Sequence, residues 1–197
     1  MDLFPYIPRR FQREVLEELE KAVDDGENFV LHAPTGFGKT PVVLAALLPF
    51  RRPIVWITRT GNEANRPIEE LRRINEVSDS NFTGISFRGK RDMCILAREK
   101  DVRDYEAIKV LCRKCPYRRY FRTSPKVMSF SEILDMGIKL GVCPYKLQLD
   151  MARKVDVLSM SYNYVLTELI EMLHSFLYLK SAILVVDEAH NLQRIAS

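Results

Sequence analysis

Two short motifs far apart in the chain carry residue types that handle phosphate groups and metal ions. The first runs Ala33-Pro34-Thr35-Gly36-Phe37-Gly38-Lys39-Thr40, and the second runs Asp187-Glu188-Ala189-His190. In a phosphate-binding loop the glycines let backbone N–H groups approach, the lysine contacts the β- and γ-phosphates and the hydroxyl ligates Mg²⁺. Lys39 and Thr40 would take these roles here. The strict pattern begins with glycine where this chain has Ala33, so a glycine-rich turn without nucleotide is the alternative.

The acidic motif follows an apolar run over residues 182–186. It is therefore expected at the carboxyl end of a strand, where ligands bind in open α/β sheets. Asp187 would hold Mg²⁺, directly or through water, and Glu188 would position or deprotonate an attacking water. Taken alone, a solvated strand end is the alternative. Taken with the loop, the motif predicts nucleotide hydrolysis with Lys39, Asp187 and Glu188 as catalytic residues.

All of the cysteines lie between these two motifs, at Cys94, Cys112, Cys115 and Cys143. Four thiolates can hold Zn²⁺ or an iron–sulfur cluster. Zinc ribbons usually present two close pairs, whereas this chain has one close pair and two distant single cysteines. That spacing weakens the zinc interpretation without removing it, and buried unpaired thiols are a further alternative.

Positive charge is concentrated in the cysteine-bearing segment. The chain has a net charge of +4, while residues 88–122 contain twelve Lys and Arg against five Asp and Glu. This segment thus carries +7 and the rest of the chain −3. Cations alternate with aromatic rings over residues 113–122, a mixture typical of single-strand binding. A solvated helix face with a few packed rings is the alternative.

The elements that would position these motifs alternate along the chain. Apolar spacing predicts helices at 11–24, 39–48, 62–77, 131–141 and 166–179. Short apolar runs predict strands at 28–33, 53–58, 82–87, 155–162 and 182–186. Such alternation predicts an α/β fold with a parallel sheet and helices on both faces. Residues 88–148 break the alternation and are interpreted as an insertion into one α/β domain.

Length and composition limit the class of protein. The chain has 197 residues, 47% of them apolar, which is enough for a sizeable core. Its longest apolar run, residues 41–50, is shorter than the roughly 18–20 residues that span a bilayer. The N-terminus lacks the basic and then apolar order of a signal peptide. We expect no membrane association and an intracellular protein, cytoplasmic in a prokaryote and nuclear in a eukaryote. There, clustered cysteines favour metal ligands over disulfides.

Seven segments, in their order and spacing, resemble the N-terminal part of an XPD-type iron–sulfur DNA helicase of superfamily 2. The resemblance runs from about Arg10 to the end of the chain. Besides the phosphate loop, it rests on the segments 58–60, 89–94, 112–115, 143–145, 159–164 and 185–191. It implies a RecA-like P-loop sheet interrupted by a mostly helical iron–sulfur insertion. Residues 1–87 and 149–197 would belong to the first motor domain, and residues 88–148 to the cluster domain.

The resemblance also implies cofactors and the residues that hold them. ATP and Mg²⁺ would bind at Gln12, at residues 35–40, at Asp187 and at His190. Gln12 would recognise adenine, and His190 would couple the nucleotide state to DNA contacts. A glutamine on a helix surface and an ordinary histidine at a helix start are the alternatives. The four cysteines would ligate a [4Fe–4S] cluster, with Zn²⁺ as the alternative.

Contacts with single-stranded DNA are predicted in two places. The resemblance implies backbone contacts from Arg59 and Thr60, for which an ordinary loop at a strand end is the alternative. The basic segment adds Arg88, Lys90, Arg113, Lys114, Arg118 and Tyr120 as candidates.

The implied function is ATP-dependent 5′–3′ translocation on single-stranded DNA and unwinding of fork DNA, in excision repair or related genome maintenance with repair proteins. In that family the motor continues beyond the acidic motif with an arch domain and a second RecA-like domain. Because this chain stops at Ser197, we expect a fragment that hydrolyses ATP weakly or not at all. A non-enzymatic, metal-containing module that binds nucleotide or DNA without turnover is the second hypothesis.

Overall fold

A computed structural model describes residues 3–119, 121–164 and 181–191. These residues form a five-stranded sheet in the order β3-β2-β4-β1-β5, and every neighbouring pair is parallel. The strands are β1 (Ile54–Thr58), β2 (Gly84–Ser86), β3 (Val127–Met128), β4 (Val157–Ser161) and β5 (Ile183–Val186). The predicted parallel α/β sheet is confirmed.

Eight α-helices occur in the described residues: α1 (Gln12–Asp25), α2 (Lys39–Leu47), α3 (Arg66–Ser78), α4 (Lys90–Met93), α5 (Ile95–Glu99), α6 (Tyr105–Arg113), α7 (Phe130–Leu140) and α8 (Pro144–Ala152). Gly26 caps the C-terminus of α1 and Gly141 that of α7, both with the positive φ that glycine adopts most easily. Ser129 and Glu132 form a capping box at the start of α7. The helix predicted at 166–179 lies outside the described residues. None of the described helices has the length and apolar character that crossing a bilayer requires.

Alternate residues of the central strand β1 face two different core layers. Ile54 and Trp56 pack with apolar side chains of α1, α2 and α3. Val55 and Ile57 pack on the other side with side chains of α7 and α8. Since successive strand residues point to opposite faces, β1 requires cover on both sides, and all five of its residues are buried. The prediction of helices on both faces of the sheet is confirmed.

The cysteine-bearing segment has two structurally different parts. Cys94, Ala97 and Ile108, on and beside α5 and α6, form a small apolar cluster separate from the two core layers. From Val127 onward the chain returns to the sheet, where β3 pairs with β2 and the helices α7 and α8 complete a core layer. The second part of the predicted insertion therefore shares the core of the α/β domain. The domain boundaries at 88 and 148 stay predictions.

The strand predicted at residues 28–33 is wrong. These residues are not assigned to any strand, and Val30 is 91% exposed. A segment of high β-propensity becomes a strand only where a neighbour accepts its ladder hydrogen bonds and covers its side chains. Among the described strands, β5 pairs with β1 and forms one edge of the sheet. The segment that leads into the phosphate loop therefore belongs to none of the described strands.

Candidate nucleotide-binding site

The phosphate loop leads directly into helix α2, which begins at Lys39 as the sequence predicts. Gly36 and Gly38 have φ values of 83° and 85°, in the left-handed region where a Cβ atom is unfavourable. A Cβ atom on Gly38 would also lie 3.0 Å from the Nε2 atom of Gln12. The glycines therefore allow both the loop's turn and the close approach of α1. Thr40 is buried at the first turn of α2, and Thr35 is exposed.

The side-chain amide of Gln12 fastens the start of α1 to the phosphate loop. Its Nε2 atom donates to the carbonyl oxygen of Phe37 at 2.5 Å, and its Oε1 atom accepts from the backbone N–H of Arg9 at 2.7 Å. The Nη1 atom of Arg9 in turn donates to the carbonyl oxygen of Gly36 at 3.0 Å. Both ends of the amide are thus bonded within the chain. Adenine recognition by Gln12 stays a prediction, and no sequence motif pointed to Arg9.

The structure brings the phosphate loop and the acidic motif together. The Nζ atom of Lys39 lies 3.6 Å from Oε1 of Glu188 and donates to the carbonyl oxygen of Ala33 at 3.3 Å. Glu188 has a φ of 52°, which is uncommon for a residue other than glycine. Both side chains are partly exposed, so the ion pair itself contributes little stability. Its importance is positional, because it brings the cation of the phosphate loop into contact with a carboxylate of the acidic motif.

Asp187 lies at the end of β5, as predicted, and its backbone is held by its neighbours. Its N–H group donates to the carbonyl oxygen of Ile57, at 2.8 Å, and the hydroxyl of Tyr162 donates to its carbonyl oxygen. Burial raises the pKa of the Asp187 carboxyl, the charge of Glu188 raises it further, and Lys39 opposes the rise. This carboxyl is consequently harder to ionise than an exposed aspartate, and a nearby cation favours its charged form.

Trp56 is a buried neighbour of Asp187 that the sequence did not single out. It is 2% exposed, on the same face of the sheet as Val185. Its indole N–H lies near enough to lower the pKa of Asp187 slightly. Within the described residues, however, that N–H makes no hydrogen bond of normal geometry. The side chain therefore contributes apolar cover and a weakly directed dipole beside the carboxylate.

His190 lies beside the acidic pair in the 3₁₀ turn Ala189–Asn191. Its Nδ1 atom is 3.5 Å from Oε2 of Glu188, and its Nε2 atom is 3.1 Å from Nδ2 of Asn191. The ring is largely exposed. It thus borders Glu188 on the side that faces solvent, and its predicted coupling role stays a prediction.

Arg59 and Thr60 form an exposed turn after β1, held by Glu63. The backbone N–H of Thr60 donates to Oε2 of Glu63 at 3.0 Å, and the N–H of Glu63 donates to the Thr60 hydroxyl at 3.3 Å. The Nη2 atom of Arg59 lies 3.0 Å from Oε1 of the same glutamate. The sequence Thr60-Gly61-Asn62-Glu63 matches the capping-box pattern, which was the available signal for Glu63.

The basic segment divides into exposed and buried cations. Arg113, Lys114 and Arg118 are exposed, and Lys90 is half-buried at the start of α4. Arg88 is only 9% exposed, which argues against the direct DNA contact predicted for it. Tyr120 lies outside the described residues. DNA contacts by the exposed cations stay predictions.

All four cysteines are free thiols, and Cys94 and Cys143 are affected by the charges of other cysteines. Burial raises the pKa of Cys94, and the charges of Cys112, Cys143 and Cys115 raise it further. Burial also raises the pKa of Cys143, against the effect of backbone N–H groups at the start of α8. By ligand type alone, four thiols suit either Zn²⁺ or an iron–sulfur cluster. No group of three or more metal-ligating side chains in the described residues has metal-binding geometry.

Comparison with protein families gives one match that covers most of the chain. The model of the DEAD_2 family matches residues 56–197, from the middle of β1 through the acidic motif. The matched range includes all four cysteines and Asp187-Glu188-Ala189-His190, while the phosphate loop lies before it.

Curated relatives are similar along nearly the whole chain. The General transcription and DNA repair factor IIH helicase subunit XPD of Dictyostelium discoideum is 26% identical over 98% of this chain and 30% of its own length. The Regulator of telomere elongation helicase 1 homolog of Drosophila persimilis is 22% identical over 98% of this chain and 25% of its own length. The chain thus spans less than a third of each of these relatives.

Solved structures show the same fold. An XPD helicase structure superposes with a TM-score of 0.73 at 24% identity, over 95% of this chain and 33% of that chain. A truncated XPD superposes with a TM-score of 0.68 at 23% identity, over 92% of this chain and 53% of that chain. The predicted RecA-like sheet is confirmed by this likeness.

Proposed function

The chain belongs to the DEAD_2 family, and from this premise we propose that it is the nucleotide-binding part of an ATP-dependent DNA helicase. The observation that carries the proposal is the 3.6 Å approach of Lys39 Nζ to Glu188 Oε1. It joins a phosphate loop and an acidic pair that lie far apart in sequence. The Dictyostelium and Drosophila relatives are named as helicases, which supports this class of activity.

The chain's own residues would each act on one part of bound ATP. The backbone of residues 35–38 and the start of α2 would hold the phosphates, because N–H groups and the helix dipole favour anions there. Lys39 would leave Glu188 for the β- and γ-phosphates. Thr40 and Asp187 would hold Mg²⁺, which when bound neutralises charge developing on the transferred phosphate. Glu188, released from Lys39, would orient the attacking water.

DNA would bind near the carboxyl ends of the strands, beside the acidic motif. The turn with Arg59 and Thr60 follows β1, and Asp187 follows the adjacent strand β5. Neighbouring parallel strands end on the same side of the sheet, so the DNA contact and the hydrolytic site would lie close together. His190, beside Glu188, would respond to the nucleotide state.

The finer proposal is 5′–3′ translocation along single-stranded DNA and unwinding of fork DNA, in excision repair. A second RecA-like domain would supply the other wall of the ATP site, and a [4Fe–4S] cluster held by the four cysteines would stabilise α4 to α6 beside the DNA. The resemblance of the sequence motifs supports these points. The name of the Dictyostelium relative, a DNA repair factor helicase subunit, supports only the link to repair.

Nucleotide binding by this chain tests the proposal. Affinity for a fluorescent ATP analogue with Mg²⁺ would be compared between the unmodified chain, Lys39→Ala and the exposed control Lys21→Ala. We expect Lys39→Ala to weaken binding by about tenfold or more, as removal of a charge-assisted phosphate contact does. The control should bind like the unmodified chain. Equal binding by Lys39→Ala and the control would overturn the loop assignment.

Nucleotide binding without turnover is the second candidate function. The side chains of Lys39 and Glu188 are 31% and 46% exposed, and phosphoryl transfer proceeds best in a site that excludes water. Phosphate release measured over many equivalents of ATP, with and without single-stranded DNA, separates the two functions. Sustained release above the Glu188→Gln background supports the hydrolase, whereas tight binding without release supports the binding module.

A further inference from the structure

A buried arginine joins the cysteine-bearing segment to the turn that carries Arg59 and Thr60. Arg88 follows β2 and is 9% exposed. Burial lowers the pKa of its guanidinium, and the charge of Asp92 opposes that shift. In the part of the chain that the structure describes, the Nε–H group of Arg88 has no hydrogen-bond partner, and the guanidinium forms no ion pair. Burying a charge without an ion pair costs free energy, and other contacts of the side chain must offset that cost.

Those contacts fix the guanidinium against the turn. Its Nη2 atom donates to Oδ1 of Asn62 at 2.9 Å, and its central carbon lies 4.3 Å from the centre of the Phe130 ring. A Cβ atom on Gly61 would lie only 1.7 Å from Nη1. Gly61 has no left-handed backbone conformation that would itself require glycine. The absence of a side chain at this position therefore serves the close approach of Arg88.

The backbone of Arg88 is held as firmly as its side chain. Its N–H group donates to Oε1 of Gln148 at 3.2 Å, and Nε2 of Gln148 donates to its carbonyl oxygen at 2.5 Å. Gln148 is fully buried in α8, the helix that begins directly after Cys143. Arg88 thus connects the turn after β1, the chain leading to Cys94 and the helix following Cys143.

We propose that Arg88 is a positioning residue for DNA binding, which fixes the turn of residues 60–62 to the cysteine-bearing segment without touching DNA itself. The inference rests on the proposed function, because it assigns the DNA contact to Arg59 and Thr60. The direct contact predicted for Arg88 is replaced by an indirect one. Displacement of the Arg88 guanidinium would release Gly61 and Asn62, and the adjoining Arg59 and Thr60 would lose their fixed position.

The experiment measures the affinity of this chain for a fluorescent oligothymidylate of about 16 nucleotides, by anisotropy. The variants are Arg59→Met, Arg88→Met and the two combined. Arg51→Met is the matched control, since it removes another guanidinium stacked on a ring, 4.7 Å from the centre of Phe82. Affinity for the ATP analogue with Mg²⁺ is measured in parallel.

We expect each single substitution to weaken DNA binding about tenfold, as loss of one charge-assisted contact does. The double variant should bind DNA as tightly as the single variant with the lower affinity, because Arg88 acts only through the turn. Arg88→Met should leave the affinity for the ATP analogue unchanged. A general loss of structure would lower that affinity. The control should bind DNA like the unmodified chain.

Three results would overturn the inference, each in a distinguishable way. Losses that multiply to about a hundredfold in the double variant would show that Arg88 contacts DNA independently. Unchanged binding by Arg88→Met, with Arg59→Met weakened, would remove the positioning role alone. Unchanged binding by Arg59→Met would remove the proposed DNA site as well.

Gly61→Ala provides a test if Arg88→Met fails to fold, as judged by circular dichroism. The added Cβ atom keeps the charge of Arg88 but forces its guanidinium away from the turn. We expect about the same tenfold loss of DNA affinity, by the loss of the same anchoring contact. Full DNA affinity in a folded Gly61→Ala chain would overturn the proposal.

Discussion

Lys39 Nζ and Glu188 Oε1 lie 3.6 Å apart, so the lysine expected to hold phosphate contacts the carboxylate expected to orient water. In this contact each residue occupies the group that the other would use in catalysis. While Lys39 contacts Glu188 and the Ala33 carbonyl, it has fewer N–H donors for a phosphate, and the ammonium group occupies part of the Glu188 carboxylate that would bind water. Nucleotide binding would exchange one anion for another on Lys39 and release Glu188. The contact between Lys39 and Glu188 would thus connect phosphate binding to the release of the carboxylate that we propose to be catalytic.

Glu188→Gln should strengthen nucleotide binding while it abolishes turnover. The substitution removes the charge that competes with phosphate for Lys39, and exposed pairs of this kind are worth about 0.2–1 kcal/mol, or up to roughly fivefold in affinity. Binding of the ATP analogue and phosphate release are the two measurements. The exposed substitution Glu18→Gln in α1 is the control. Weaker binding by Glu188→Gln would show that this carboxylate helps to hold the nucleotide.

Gln12→Ala should weaken the binding of all nucleoside triphosphates alike. The Gln12 amide holds the loop at Phe37 and the chain at Arg9, and each such hydrogen bond contributes about 0.5–1.5 kcal/mol. We expect a loss of roughly tenfold for both ATP and GTP analogues, because the substitution would loosen the loop that we propose to bind phosphate. A loss confined to the ATP analogue would instead show that the amide turns to the adenine base.

Asp187→Asn should stabilise the fold at neutral pH and weaken Mg²⁺-dependent nucleotide binding. Burial and the charge of Glu188 raise the pKa of Asp187 above its ordinary 3.8, although Lys39 lowers it. The folded state therefore binds the proton more tightly than the unfolded state, so stability falls as pH rises through the window that starts near 3.8. Removing the charge should raise the melting temperature at pH 7.

The pH dependence of that gain is the diagnostic measurement. As the pH is lowered, Asp187 becomes neutral in the unmodified chain, so the difference in melting temperature should shrink. Asp24→Asn, on the exposed face of α1, should show no such trend. A gain that is equal at high and low pH would mean that packing, and not ionisation, accounts for the effect.

Chain purified without oxygen should contain iron and sulfide at about four each if the cysteines hold the proposed cluster. The apolar cluster around Cys94, Ala97 and Ile108 is small, so metal ligation would supply much of the order in α5 and α6. Cys112→Ser or chelation should therefore increase hydrogen exchange in residues 94–113. Exchange in α2, within the main core, serves as the internal control.

The alternative metal is decided by the same preparation. One equivalent of zinc without iron would support the zinc interpretation. No metal, together with unchanged exchange in Cys112→Ser, would leave the thiols as packing residues.

Local patterns were sufficient for most of the elements and for the two motifs. Lys39 begins α2 and Asp187 follows β5 as predicted, because helix periodicity, glycine punctuation and apolar runs act over a few residues. The capping-box pattern at Thr60 also lay in the sequence, although its meaning for Glu63 became clear only from the contacts. Features that depend only on residues close together in the sequence could therefore be predicted without the fold.

The sequence by itself determined a parallel α/β protein with a phosphate loop, an acidic pair and four cysteines in a basic segment. Only the tertiary structure decided that residues 28–33 lack a ladder, that the Gln12 amide is bonded at both ends and that Arg88 is buried against Gly61. Each of these depends on a partner distant in sequence. A ladder needs a neighbouring strand, a buried amide needs its carbonyl, and a buried cation needs a surface that closes around it.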